Sequence, residues 1–336
     1  MNRFLVWVTF CVGLAFAQGV TYPGSGAHKS KHIVLIAGDD AEYHSEEALP
    51  ALAKILSERH GFTCTVLFSI NPADGTIDPR EKHNIPGLEA LKSAGLVVLF
   101  IRWRDLPDDQ MKMFVDYVES GRPIISMRTG THPFWFKTSQ TYAKWSWNSQ
   151  IPGWEGGFGR KVLGETWVAH HASHGQQSTR ALFAPGAAEN PILRGVRDGE
   201  IWVPTEVYEV RLPMLPSSKP LLLGQVLTWM GPDAEPATGK LNDPMMPVAW
   251  TNSYTAPSGK TARIFTTTMG AADDIETEGL RRVLVNAVYW GLGLENEIPA
   301  KADVAFTGPY SPHSFLNDVY TAGVKPSDLA KEGGHK

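Results

Sequence analysis

Between residues 31 and 127, short runs of almost wholly apolar residues alternate with helical patterns, and few folds accommodate that rhythm. "KHIVLIA" (31–37), "CTVLF" (64–68), "GLVVLFI" (95–101) and "PIISM" (123–127) show no polar face. A strand with one wet face alternates polar and apolar residues, whereas a strand apolar throughout is covered on both faces, as in parallel sheets. Between the runs lie three helical patterns. The first opens at Ser45, carries Glu46 and Glu47 in its first turn and ends at Gly61. "GLEALKSA" is the second, and the third, "LPDDQMKMFVDYVESG", spaces Met111, Phe114, Val115 and Val118 on one face. The alternation predicts an α/β fold: a doubly wound, mostly parallel sheet of flavodoxin-like type with helices on both faces.

The second half is less periodic. Strands are expected at 206–212, 220–227, 247–251 and 262–268, with a closing amphipathic helix from Glu276 to Leu292. Residues 133–162 are rich in Trp, Gly and Ser and show no core element, so they read as a long binding loop. At the N-terminus, Arg3 precedes an apolar stretch that ends in Ala15-Phe16-Ala17, the pattern of a secretory signal peptide over residues 1–17 and too short to span a bilayer. Residues 18–30 then read as a linker, 31–294 as one domain and 295–336 as a surface-wrapping tail.

An exported chain of this kind is secreted or periplasmic, with no membrane span once the signal is cleaved. It also retains a single cysteine, Cys64, and therefore no intramolecular disulfide. The net charge of −4 is not clustered in either sign, which argues against nucleic acid or an anionic membrane as partner. Association into a homo-oligomer stays open.

Ligands of open α/β sheets bind outside the carboxyl ends of the strands. The first strand ends in Asp39, Asp40, Glu42 and His44, the third in Arg102, Trp103 and Arg104, and the fourth in the elbow "RTGTH" with Arg128, Thr129, Thr131 and His132; Thr267 and Thr268 end the last strand. No Cys or Ser occupies the elbow, and Cys64 begins a strand instead, so thiol chemistry of the glutamine amidotransferase kind is excluded.

Arg128 and His132 are suited to stabilising an oxyanion and moving a proton, with Asp39 and His170 as further acid–base candidates. Such an imidazole at its ordinary pKa of ~6.5 would set the pH dependence. Asp40, His44, Arg102, Thr129, Glu206 and Thr268 are expected to bind substrate. Trp135, Trp145, Trp147, Trp154 and Trp167 cluster in sequence; exposed indoles stack on pyranose faces, and Trp147 or Trp135 is the expected contact, while others fill a small core.

"ETWVAHHASHG" (165–175) leaves two readings open. As a helix it puts His170 and His174 on one face, where Glu165 or Glu206 would complete a site for a divalent metal such as zinc. As a strand it sends His170 and His171 to opposite faces. The strand reading is preferred, and with it no cofactor.

"HIVLIAGDDAEYHSEEALPALAKIL", "RTGTHPF", "GGFGRKVLGETWVAHHASH", "NPILRGV", "PVAWTNSY", "GKTARIFTTTMGA" and "LRRVLVNAVYWGLGLE" together resemble the trehalose-utilisation (ThuA-like) family over roughly residues 31–294. The resemblance implies a class I glutamine amidotransferase-like fold and a role in carbohydrate metabolism, with trehalose or 3-keto disaccharides as substrates. Many members carry a His at the start of the elbow and another after a Gly near the end of the last strand. This chain has Arg128 and Ala271 there, the pattern of a secreted branch whose elbow reads Arg-Thr-x-Thr-His. The expectation is an enzyme, a hydrolase or lyase acting by acid–base cleavage; a non-catalytic sugar-binding module and a metal-dependent hydrolase are the alternatives.

Overall fold

The computed structural model describes residues 18–332, so the signal-peptide reading of residues 1–17, with Cys11, lies outside the described residues. In chain order, Val20–Tyr22 (β1), His32–Gly38 (β2), Ser45–Glu58 (α1), Thr63–Phe68 (β3), Leu96–Ile101 (β4), Asp108–Glu119 (α2) and Ile124–Met127 (β5) build the first half. The second consists of Ala169–His170 (β6), Thr179–Phe183 (β7), Ile201–Val203 (β8), Tyr208–Glu209 (β9), Lys219–Val226 (β10), Met246–Thr255 (β11), Thr261–Thr267 (β12), Glu278–Gly291 (α3) and Pro326–Glu332 (α4).

β3, β2, β4, β5 and β12 lie side by side in that order, all parallel, which is the flavodoxin-like order expected. Beyond β12 the sheet continues through β11, β10, β7 and β8, each antiparallel to its neighbour. The apolar strands are buried on both faces for the reason their sequence gives. Ile33, Leu35 and Ala37 of β2 join one core with α1 and α3, while Val34 and Ile36 point into the other with α2.

Three expectations change. Residues 18–30 are not a free linker, because β1 pairs antiparallel with β3 and buries Val20 and Tyr22. "GLEALKSA" gives only a short 3-10 turn, Leu88–Lys92, entered from Gly87 at φ +88. Residues 133–162 carry core after all: Phe134, Phe136, Trp145, Phe158 and Val162 are buried, because widely spaced aromatics reach a common core without helical or strand periodicity. β7 and β8 had no alternating signal to announce them.

Cys64 is fully buried on β3, and burial pushes its thiol far above the ordinary range. Thiolate chemistry is thus suppressed. Under native conditions Cys64 is expected to resist a thiol reagent such as iodoacetamide that labels the urea-unfolded chain fully; intact mass reads both states, and rapid native labelling would contradict the burial.

Candidate functional site

The chain reverses its sense of winding between β2 and β4, and that is where a crevice is expected in an open sheet. The backbone marks the same place. Among the described residues the non-glycine positions with positive φ are Asp40 (75°), Ala41 (62°), His44 (55°), Trp103 (50°) and Arg128 (42°), following β2, β4 and β5. Each such conformation costs of order 1–3 kcal/mol, and such residues gather at functional sites. Gly130 lets the elbow after β5 lie on β4, since a Cβ there would stand 2.6 Å from the carbonyl oxygen of Leu99.

Tyr43, Arg102, Arg128, Thr129 and His132 line a crevice of about 20 Å³ at these strand ends, and the short β6–β9 ribbon closes it with Trp167, His170, Glu206 and Tyr208. The space admits one water-sized group. Arg128 and Glu206 form its floor, both 1% exposed. Arg128 donates to Glu206 Oε1 at 2.7 Å, to the Glu206 carbonyl at 3.0 Å and to the Thr268 carbonyl at 2.8 Å, and it lies over the Tyr43 ring at 4.4 Å. Burial opposes ionisation of Glu206, but Arg128 and the hydrogen bonds from His170 and His174 outweigh it and hold the carboxyl well below the usual range. Asp274 secures this floor from beneath, accepting from Gly270 N, Ala271 N, Thr205 N and Thr205 Oγ1.

His132 is 4% exposed. Its Nδ1 joins a hydrogen-bond network, 3.1 Å from Thr131 Oγ1, which lies 2.7 Å from Tyr208 OH and 3.4 Å from the Arg128 carbonyl that Tyr208 OH also reaches at 3.1 Å; where Thr131 donates to Tyr208 or to that carbonyl, His132 carries its proton on Nδ1. Nε2, which carries the lone pair in that arrangement, has no hydrogen-bond partner among the described residues. Burial, then Arg102, Arg128 and His170, drive the imidazole well below its ordinary pKa of 6.5, which overturns the expectation of an unperturbed histidine.

The other expected residues separate. Asp39 is fully buried and accepts from Tyr43 N, Ser45 N and Ser45 Oγ, so it shapes the loop rather than transferring protons in the crevice. Asp40 pairs with Lys82 and with Arg104, itself a buried hub bonded to the carbonyls of Arg102, Pro79 and Glu81. His44 sits under the tail, with Nε2 on the Ser314 carbonyl. Thr268 contributes its carbonyl to Arg128 rather than a side chain to substrate. Arg102 does reach the crevice, paired with Glu42 and stacked on Trp103 at 4.1 Å.

The tryptophans divide as the sequence allowed. Trp145 is core, stacked on Phe158, with Trp154 beside it. Trp103, Trp135, Trp147 and Trp167 instead form a half-buried wall: Trp167 stands 5.4 Å from both Trp147 and His132, and Trp103 5.9 Å from Trp135. The indole N–H groups of Trp103 and Trp147 are buried without a partner among the described residues, as is the Thr129 hydroxyl.

His170 and His174 are brought together not by a helix but by the bend after β6, which leaves His171 turned away onto the Leu241 carbonyl. Their carboxylate neighbour is Glu206, whereas Glu165 is bound to Arg160 and Arg211. The tail joins in: Phe315 stacks on Tyr43 and meets His174 edge-on at 5.3 Å. Tyr43, Tyr208, Asp274 and Phe315 carried no motif; the nearest signal was Tyr43 lying between Asp39 and His44.

Residues 33–291 match the sequence profile of the family described as ThuA, trehalose utilisation. No protein with a curated description matches the chain. Among solved structures, a ThuA-like protein of Parabacteroides merdae is similar at 16% identity and TM-score 0.49, over 79% of this chain and 90% of that one. A ThuA-like protein of Bacteroides uniformis is similar at 13% identity and TM-score 0.49, over 79% and 93%.

Proposed function

Because this chain belongs to the trehalose-utilisation (ThuA) family, we propose that it is an exported enzyme of carbohydrate metabolism that cleaves trehalose-type 3-keto disaccharides by proton abstraction beside the carbonyl. The observation that carries this reading is a buried imidazole, kept neutral by its surroundings, whose Nε2 has no partner among the described residues at the foot of an indole wall. Sugar rings are too large for the crevice and would lie against Trp167, Trp147 and Trp103, with only the reacting edge entering. His132 Nε2 takes the proton from C2; the C2–H electrons move onto the C3 carbonyl, giving an enolate beside the Arg102 guanidinium. The enolate re-forms the carbonyl as a C1–C2 double bond forms and the C1–oxygen bond breaks, and the departing sugar oxygen receives the proton from His132. Proton and electrons balance without an oxidant.

The test is incubation of the purified chain with 3-keto-trehalose and with trehalose in D2O, reading deuterium at C2 by NMR and products by mass spectrometry. Exchange and cleavage of the keto sugar alone are expected. Calorimetric binding of the sugar with neither exchange nor cleavage would establish a non-catalytic binding module instead.

The two kinds of tryptophan give a second check. Trp147→Ala is expected to weaken sugar binding by about 1 kcal/mol, roughly fivefold, with an unchanged melting temperature. Trp145→Ala should instead cost about 3–5 kcal/mol of stability by opening the core. Calorimetry with urea denaturation separates them, and equal destabilisation of both would remove the indole wall from the site.

A further inference from the structure

His170, His174 and Glu206 place one ligand atom each within 4.8 Å of one another. We infer that these three residues form a binding site for a single first-row transition-metal dication, zinc being the reference ion, with its open coordination positions toward the crevice. The site is read from geometry alone; only its part in sugar chemistry rests on the function proposed above.

The donor set suits such an ion. Two imidazole nitrogens with one carboxylate match zinc, iron and manganese sites, whereas magnesium and calcium favour all-oxygen shells. The spacing suits it as well. His170 Nδ1 lies 3.3 Å from Glu206 Oε1 and His174 Nδ1 3.1 Å from Oε2. Ligands on bonds of ~2.0–2.1 Å stand about 2.9–3.4 Å apart along a tetrahedral or octahedral edge.

Burial is graded in the sense that binding requires. Glu206 is 1% exposed and fixed by Arg128, as an outer hydrogen bond fixes a ligating carboxylate, while His170 and His174 are 47% and 36% exposed and leave a way in from solvent. Arg128 already balances the Glu206 charge, so two further histidines are not needed to neutralise it. Thr129, 2% exposed and with its hydroxyl unpartnered among the described residues, lines the same crevice and is suited to an ordered water beside the ion. His44, Glu47 and His313 also converge, but there the His44 Nε2 is held by the Ser314 carbonyl and its Nδ1 faces Glu46, which makes that cluster the natural control.

The experiment is calorimetric titration of the chelator-stripped, untagged chain with ZnCl2 and MnCl2, with metal content read by plasma mass spectrometry. One ion per chain is expected, at micromolar Kd or tighter. Binding should be weakened roughly 100-fold or more in His170→Ala and in His174→Ala, and unchanged in His313→Ala, with thermal melts confirming that each variant folds. No uptake of either ion, uptake equally tight in the His170 and His174 variants, or a loss confined to His313→Ala would each overturn the site. The titration contains no sugar, so its failure leaves the reaction reading intact, and failure of the deuterium experiment leaves the metal site intact.

Discussion

Arg128→Met is expected to lower unfolding free energy by about 3–5 kcal/mol, a stability effect where the sequence suggested a catalytic one. At the tip of an elbow an arginine reads as a cation offered to substrate. Here it is fully buried, and its three hydrogen bonds tie the β5 elbow to Glu206 and to the end of β12. Methionine fills comparable volume but leaves the Glu206 carboxylate buried without its cation.

The pH dependence follows with a definite sign. The folded pKa of Glu206 lies below its unfolded value of about 4.5, so the ion pair stabilises the protein above that pH and the contribution is lost as pH falls below it. The gap between wild type and Arg128→Met should therefore be full at pH 7 and shrink on acidification below 4.5. Arg128→Met/Glu206→Leu should recover most of the loss, since removing both partners leaves no stranded charge. Urea denaturation of the four proteins of this cycle measures it; an Arg128→Met midpoint equal to wild type would show the pair to be idle in folding.

How much of this was legible depended on how local the signal was. The parallel strands β2 to β5 and α2 announced themselves because burial on both faces, or on one helical face, writes a pattern within a few residues. Arg102, Thr129, His132, His170 and Glu206 were found because strand ends and histidine spacing are local too. What the sequence could not show is which polar residues spend their hydrogen bonds inside the protein. Asp39 and Asp40 are adjacent and alike on paper, yet one caps a loop and the other pairs with Lys82 and Arg104. Glu165 and Glu206 looked interchangeable beside His170, and only the chain path through β6 and β9 selects Glu206. Residues 18–30 and Phe315 were read as periphery because nothing in their composition says that β1 will pair with β3 or that the tail will reach Tyr43.

His132→Asn is expected to lower kcat on the keto disaccharide by about 10²–10⁴ while leaving KM and the melting temperature nearly unchanged. Asparagine is the informative replacement because its amide N–H takes the place of His132 Nδ1–H and can still donate to Thr131, so the network through Tyr208 to the Arg128 carbonyl survives. Only the Nε2 lone pair disappears. The pH profile carries a second reading of the same group. A base must be unprotonated to act, and His132 is held well below 6.5, so wild-type activity should persist through pH 6.5 and decline only as pH falls through that lowered value. The decline should vanish from the residual activity of His132→Asn, because no imidazole remains at that position to titrate. A variant that folds, binds sugar and turns over at the wild-type rate would remove His132 from the chemistry. An acid limb at or above pH 6.5 in the wild type would assign the essential base to a group other than this buried imidazole.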